Sequence, residues 1–146
     1  MGKYTLIAFA LAALMGLGLW WSGNDDISTL AAANVLDSPD PAMVDVTVPE
    51  TLSANAEIGK VAFEAKCAVC HGANAAGQDG VAPPLVHKIY ELSHHGDAAF
   101  LLAAKNGVRA HHWHFGNMPP VEGVTDGDVK MIIAYVRELQ RANGIN

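Results

Sequence analysis

Two cysteines and a histidine form the most informative pattern in this 146-residue chain. They stand together as Cys67-Ala68-Val69-Cys70-His71, and the sequence contains no other cysteine. Two thiols three residues apart cannot form a disulfide framework, a redox C-x-x-C needs a βαβ context that the chain lacks, and structural zinc needs about four ligands. C-x-x-C-H is the attachment motif of c-type haem, so the pattern predicts one haem c bound covalently by Cys67 and Cys70, with His71 on the iron.

Helical patterns flank this motif on both sides. The first predicted helix covers about 55–69 and runs into the motif, and the second covers 97–106 and stops at Gly107, a typical glycine position after a helix. The third begins at Thr125, with Asp128 in the position of a capping-box partner. Its apolar stripe consists of Val129, Ile132, Ile133, Val136 and Leu139. A weaker turn is expected near 88–93, and no convincing strand pair is present, so the predicted domain is all-α.

Residues 52–146 resemble a class I monohaem cytochrome c over nearly their whole length. Gly59 and Phe63 precede Cys67 with the spacing that this family has on its first helix, and Tyr135 matches the aromatic residue of its last helix. The resemblance implies a crossing of these two helices, with the small glycine allowing close approach. It also implies three main helices around one covalently attached haem.

The surroundings of the haem follow from the same resemblance. Pro83 and Leu85 resemble the Gly-Pro-x-Leu loop of the family, with Ala82 replacing the glycine. In the family, the carbonyl at the Pro83 position accepts a hydrogen bond from the proximal imidazole, here His71. Such a bond fixes the orientation of the ring and raises the basicity of the ligand.

Met118 is the expected sixth ligand of the iron. It lies in Asn117-Met118-Pro119-Pro120, forty-seven residues beyond His71, a distance that resembles the shorter bacterial members of the family. A thioether ligand favours reduced iron and raises the potential. The remaining methionines fall in poorer positions, namely Met1, Met15, Met43 and Met131.

Histidines are unusually frequent, and six remain after His71. Most fall in two groups, the pair His94 and His95 and the triplet His111, His112 and His114. They suggest a second metal site such as one for copper, a ligand that displaces Met118, or polar rings that cover the haem edge or bond its propionates. We favour the interpretation in which the rings cover the haem edge or bond its propionates. Adjacent histidines on a loop generally point apart, and no complete set of four metal ligands is evident. Trp113 either donates its indole N–H to a propionate or only packs.

The N-terminus carries a second signal. Residues 1–21 include an uncharged run from Tyr4 to Trp21 that is long enough, at about 27 Å as a helix, to cross a membrane. It follows Lys3 and ends in two tryptophans, as expected at a membrane interface. These features favour a single N-terminal transmembrane helix, with a cleaved signal segment as the alternative. Either option sends the rest of the chain across a bacterial inner membrane, so the haem domain is expected in the periplasm, as a soluble protein if cleavage occurs.

Residues 22–51 are expected to form an acidic tether containing proline and alanine. This segment holds six acidic residues and no basic one. Its r.m.s. span as a flexible chain would be roughly 30 Å. The alternative is that part of it packs on the domain through Val44, Val46 and Val48. The following 52–146 segment, with eight basic and nine acidic residues, is nearly neutral and offers no basic patch for nucleic acid.

These features together predict an electron-transfer protein rather than an enzyme. The expected function is single-electron transfer in a membrane-associated respiratory chain, through haem iron ligated by His71 and Met118. By family analogy its partners would be membrane-bound donor and acceptor complexes, such as a quinol-oxidising complex and a terminal oxidase or dehydrogenase. The alternatives are a haem enzyme or copper-handling protein that uses the histidine groups, and a fixed haem subunit of an oxidase or dehydrogenase complex.

Overall fold

Four α-helices dominate the part of the chain that the structure, a computed structural model, describes, residues 42–146. In chain order they are α1 (Ala54–Lys66), α2 (Ala68–His71), α3 (Asp97–Asn106) and α4 (Asp126–Ala142), with single 3₁₀ turns at Ala73–Ala75 and Lys88–Tyr90. Within these residues, pairing of extended backbone is limited to three isolated bridges. The prediction of an all-α domain is therefore confirmed.

Local signals determine where most of the helices begin and end. The Ser53 side chain accepts a hydrogen bond from the Ala56 N–H and caps α1. The first helix is predicted to run over about 55–69, but it is interrupted at Cys67. The next four residues, Ala68–His71, form the separate single turn α2. Helix α3 has the predicted bounds, and it is followed by Gly107 at a φ of 73°.

Helix α4 begins with the predicted capping box. The N–H and hydroxyl of Thr125 donate to Asp128 Oδ2 at 2.8 and 2.7 Å, and the Asp128 N–H donates to Thr125 Oγ1 at 3.2 Å. These hydrogen bonds stabilise the carboxylate and lower the pKa of Asp128 below its usual value. The start of the longest helix is thus fixed by residues three positions apart in the chain.

The crossing of α1 and α4 forms the centre of the core. Gly59 lies so close to the Met131 carbonyl that a side-chain carbon there would overlap it. Next to this contact, the rings of Phe63 and Tyr135 are fully buried, with their centroids 5.7 Å apart. The Tyr135 hydroxyl donates to Asn74 Oδ1 at 3.0 Å, and burial raises its pKa to about 12, so it remains a donor. The crossing is therefore linked to the turn that follows the haem motif.

The segment before α1 contacts the domain. The Met43 N–H donates to the Ala76 carbonyl at 3.1 Å, and the Thr47 backbone exchanges two hydrogen bonds of 2.9 Å with the Asn143 side chain. Val46 packs against the core cluster. Residues 43–47, assigned to the tether from sequence, thus follow the alternative in which part of the segment packs on the domain.

The predicted membrane helix and the rest of the tether lie outside the described residues. Among the helices of residues 42–146, none combines the length and the apolar character that crossing a membrane would require.

The helix crossing leads to a stability prediction. We expect Gly59→Ala to lower the free energy of unfolding by about 1–3 kcal/mol or more, because the new methyl group must push apart two backbones. Denaturant unfolding of the haem-loaded protein measures this change. The control is Gly127→Ala, an exposed position near the start of α4 where a Cβ meets only the Thr125 hydroxyl at 3.4 Å. It should be neutral or stabilising, since alanine favours helix. Equal stability of the two variants would contradict the proposed role of Gly59.

Candidate haem site

A mainly apolar cavity of ≈ 520 Å³ lies beside α2. Its walls come from the haem motif, from α3, and from the loops around residues 81–85 and 107–121. All seven site residues predicted from sequence line this one cavity, namely Cys67, Cys70, His71, Pro83, Leu85, Trp113 and Met118. The fold thus brings together side chains that are up to fifty-one positions apart in the chain.

His71 is held in a defined orientation. Its ring is nearly buried, and Nδ1 lies 2.8 Å from the Pro83 carbonyl oxygen. A carbonyl can only accept, so Nδ1 carries the proton and Nε2 keeps its lone pair. Burial lowers the pKa of His71, with the Pro83 hydrogen bond opposing that change. The hydrogen bond implied by the family resemblance is present, and it leaves a neutral imidazole with one nitrogen available for a metal.

The two thiols belong to one helical turn, with Cys67 at its start and Cys70 directly before His71 at its end. The N–H groups of Cys70 and His71 both donate to the Cys67 carbonyl, at 3.1 and 2.9 Å. Burial, together with the neighbouring Cys70, raises the pKa of Cys67 to about 11. A redox C-x-x-C pair instead has a depressed thiol pKa. The environment of Cys67 therefore disfavours redox exchange and leaves covalent attachment as the better explanation of the motif.

Gln78 supports the motif from the opposite loop. Its side-chain amide donates to the carbonyls of Ala68 and Val69, both at 3.1 Å, and its backbone N–H donates to the Ala82 carbonyl at 2.9 Å. The buried glutamine thus ties α2 to the loop that carries Pro83. No sequence motif marks this residue, because its role depends on contacts that only the folded chain creates.

Met118 is positioned by backbone pairing at the base of a loop. Met118 and Val108 exchange two backbone hydrogen bonds of 2.9 and 3.0 Å, and Asn117 Oδ1 accepts from the Ala110 N–H at 2.9 Å. Gly107 lies directly against the Met118 carbonyl, where a side chain would not fit. These contacts fix the residue at the cavity wall without using its thioether, which stays available as a ligand.

Trp113 contributes a buried polar atom that lacks a partner. Within residues 42–146, its Nε1–H meets no acceptor with good hydrogen-bond geometry. Burial raises the pKa of Tyr90, and the approach of the Trp113 N–H to the phenol oxygen opposes that rise. The indole stacks on Phe115, with centroids 5.9 Å apart, and meets His87 edge-on. A buried N–H without an acceptor is costly. An acceptor supplied by a bound group would remove that cost.

The cavity fits a covalently attached haem c. Two thiols three residues apart, an imidazole with a free nitrogen and a thioether all face an apolar space, and one buried N–H awaits an acceptor such as a propionate. The fit rests on these donors and on the apolar walls, since haem requires both.

Four of the five histidines in the two groups cluster together, and three of them, His95, His111 and His112, line the cavity. The His112 ring lies 4.3 Å from that of His111, 5.2 Å from His95 and 5.3 Å from His94, measured between centroids. The expectation that these neighbours point apart is therefore wrong, and only His114 stands outside the group. The pKa of His112 is lowered mainly by partial loss of solvation. The three nearby imidazoles lower it further.

The physical reason lies in how His95 is anchored. Its Nδ1–H donates to the Ile89 carbonyl at 2.7 Å, and its own carbonyl accepts from Arg137 on α4 at 2.6 Å. These bonds turn the 94–95 pair toward the loop that carries His111 and His112. Ile89 lies six residues before His95 and Arg137 forty-two residues after it, and neither belongs to a pattern that marks it as a partner, so the sequence could not indicate the convergence.

Comparison with known proteins agrees with this site. The family model described as Cytochrome c matches residues 56–140, more than half of the chain. The chain belongs to the cytochrome c family. Its cofactor is therefore covalently bound haem c, and the protein is a haem-based electron carrier. No curated protein and no solved structure gave a significant match.

The unpartnered indole leads to a redox prediction. We expect Trp113→Phe to lower the midpoint potential, on the order of tens of millivolts, because a propionate without this donor exerts more of its negative charge and favours ferric iron. Potentiometric titration of the haem-loaded protein measures the change. Phe115→Leu is the control, since it removes the stacking partner but keeps the N–H, and it should leave the potential near wild type. An unchanged potential in Trp113→Phe would mean that the indole only packs.

Proposed function

We propose that this protein is a single-electron carrier of a membrane-associated respiratory chain, with its haem iron ligated by His71 and Met118. The observation that carries the proposal is that both side chains line the cavity that also contains Cys67 and Cys70. When bound, the haem supplies the one-electron change between ferric and ferrous iron.

The protein's own residues favour transfer over catalysis. His71 is fixed by the Pro83 carbonyl, and Met118 is fixed by its pairing with Val108, so both candidate ligands are held without rearrangement. With His71 and Met118 both holding the iron, no open position would remain for a substrate. Apolar walls exclude water and, with the thioether, favour the reduced state.

The rim of the cavity supports contact with redox partners. Val81 and Leu102 line the cavity and are also exposed to solvent, and Cys70 is exposed beside them. An apolar rim next to a redox centre suits brief docking, in which electrons pass through the exposed edge. We propose membrane-bound donor and acceptor complexes as the partners, such as a quinol-oxidising complex and a terminal oxidase or dehydrogenase.

The proposed location is the periplasmic face of a bacterial inner membrane. Its support is the apolar run from Tyr4 to Trp21, preceded by Lys3. A single N-terminal anchor would keep the haem domain near membrane partners at a raised effective concentration.

Loss of the thioether tests the iron ligation. We expect the oxidised wild-type protein to show a thioether-to-iron charge-transfer band and Met118→Ala to lose it, with a lower midpoint potential and newly rapid CO binding by the reduced form. Optical spectra and CO mixing measure these changes. Met131→Leu is the matched control, because it alters a methionine on α4 that is outside the cavity. Rapid binding of CO or peroxide by the wild-type protein would contradict the carrier and favour a haem enzyme.

Fractionation tests the anchor. We expect the full chain, expressed with haem attachment, to remain in the membrane pellet through a high-salt wash and to be released by detergent. Replacing residues 1–21 with a cleavable signal peptide should yield the same haem spectrum in the soluble periplasmic fraction. A soluble wild-type protein whose mature N-terminus lies beyond Trp21 would show instead that the segment is cleaved.

A further inference from the structure

Three imidazoles from two separate segments meet at one point on the surface. One ring nitrogen from each of His94, His95 and His112 lies within 4.8 Å of the other two. We propose that these three residues form a binding site for a divalent late transition-metal ion, with Cu²⁺ bound most tightly. The site uses one pair from the 94–95 turn and one residue from the 111–114 loop, a grouping that neither sequence cluster contains by itself.

The distances suit metal coordination. His94 Nε2 and His112 Nε2 are 3.4 Å apart. Two imidazole nitrogens, each at about 2.05 Å from one ion, are separated by about 3.3 Å on a tetrahedral ion and by about 2.9 Å at neighbouring positions of a square-planar ion such as Cu²⁺. The two separations that involve His95 are at most 4.8 Å, so they have to shrink by about 1.5–2 Å at most to reach this spacing. Rotation of the exposed His94 and His112 side chains toward His95 covers such a change.

His95 is already oriented as a ligand. Its Nδ1–H donates to the Ile89 carbonyl at 2.7 Å, which fixes the tautomer and leaves the Nε2 lone pair free. Metal-binding histidines commonly donate their second nitrogen to a carbonyl or carboxylate in this way. The hydrogen bond from Arg137 to the His95 carbonyl holds the backbone of the residue as well. One ligand is thus rigid, while His94 and His112 are exposed and can close around an ion arriving from solvent.

The chemistry of the donors selects the ion. Three imidazoles form the group, and it includes no carboxylate, which disfavours Mg²⁺ and Ca²⁺. Imidazole suits Zn²⁺, Cu²⁺ and Ni²⁺, and Cu²⁺ binds most tightly in the divalent series. Three protein ligands leave a further position for water.

The inference is independent of the iron ligation proposed above. It rests on the imidazoles alone, although His95 and His112 also line the cavity rim. His94 does not line the cavity, so its replacement separates the two sites.

Metal retention by the full haem-loaded chain tests the proposal. The protein is dialysed against Cu²⁺ or, separately, Zn²⁺, and the bound metal is counted relative to haem iron. We expect one retained ion in the wild-type protein and at least a tenfold weaker affinity in His94→Gln and in His112→Gln. His114→Gln is the matched control, since it lies on the same loop outside the group, and its affinity should equal that of the wild type.

A spectroscopic readout identifies the ligands. The electron paramagnetic resonance spectrum of bound Cu²⁺ should show nitrogen hyperfine structure that His94→Gln simplifies, while the optical spectrum of the haem stays unchanged. An unchanged haem spectrum confirms that each variant is folded. Equal metal retention by wild type and His94→Gln, or an equal loss of retention in His114→Gln, would overturn the proposal.

Discussion

The absence of a side chain at Gly59 lets the backbone of α1 approach the Met131 carbonyl of α4, and the haem site depends on this contact. A helix of thirteen residues is only marginally stable by itself in water, so the position of α1 in the domain is determined by the elements it packs against. The crossing fixes that position, and α2 begins immediately after α1 ends. The position of the Cys67–His71 motif is therefore set by a contact that lies upstream of it, at Gly59 on the same helix.

From that crossing, polar contacts extend to the cavity. Tyr135 reaches Asn74 directly behind the motif, Gln78 joins the carbonyls of α2 to the next loop, and Pro83 orients His71. Each of these groups is at least partly buried, where an unpaired polar atom is costly. Among the buried side-chain nitrogens and oxygens of the described residues, Trp113 Nε1 alone has no well-placed partner, and Trp113 borders the cavity. The one exception thus occurs where a bound group can supply the partner.

The sequence predicted those features that depend on near neighbours. The bounds of α3 follow from an apolar stretch and Gly107, and the start of α4 follows from Thr125 and Asp128, because the determinants lie within one or two turns. The seven site residues could be named because a motif and a family resemblance mark them. The role of Gln78 and the meeting of the histidines could not be predicted, since both arise from contacts between separate segments that no motif links, 9 and 10 residues apart for Gln78 and 18 for His94 and His112. The packing of residues 43–47 on the domain has the same origin.

Arg137 shows how one long-range contact serves both the cavity and the histidine group. Its side chain is mostly buried on α4, donates to the Tyr90 and His95 carbonyls at 2.6 Å, and pairs with Asp97 at 2.9 Å. Its guanidinium also lies 4.8 Å from the centroid of Phe100, a residue of the cavity wall. A buried charge is tolerated only when its hydrogen bonds are satisfied, and a planar fork of donors is needed to reach carbonyls on separate segments. Lysine has a single ammonium group that cannot span these acceptors and stack on the ring at once. The wall of the cavity and the anchor of His95 therefore share one support, which the geometry of arginine makes possible.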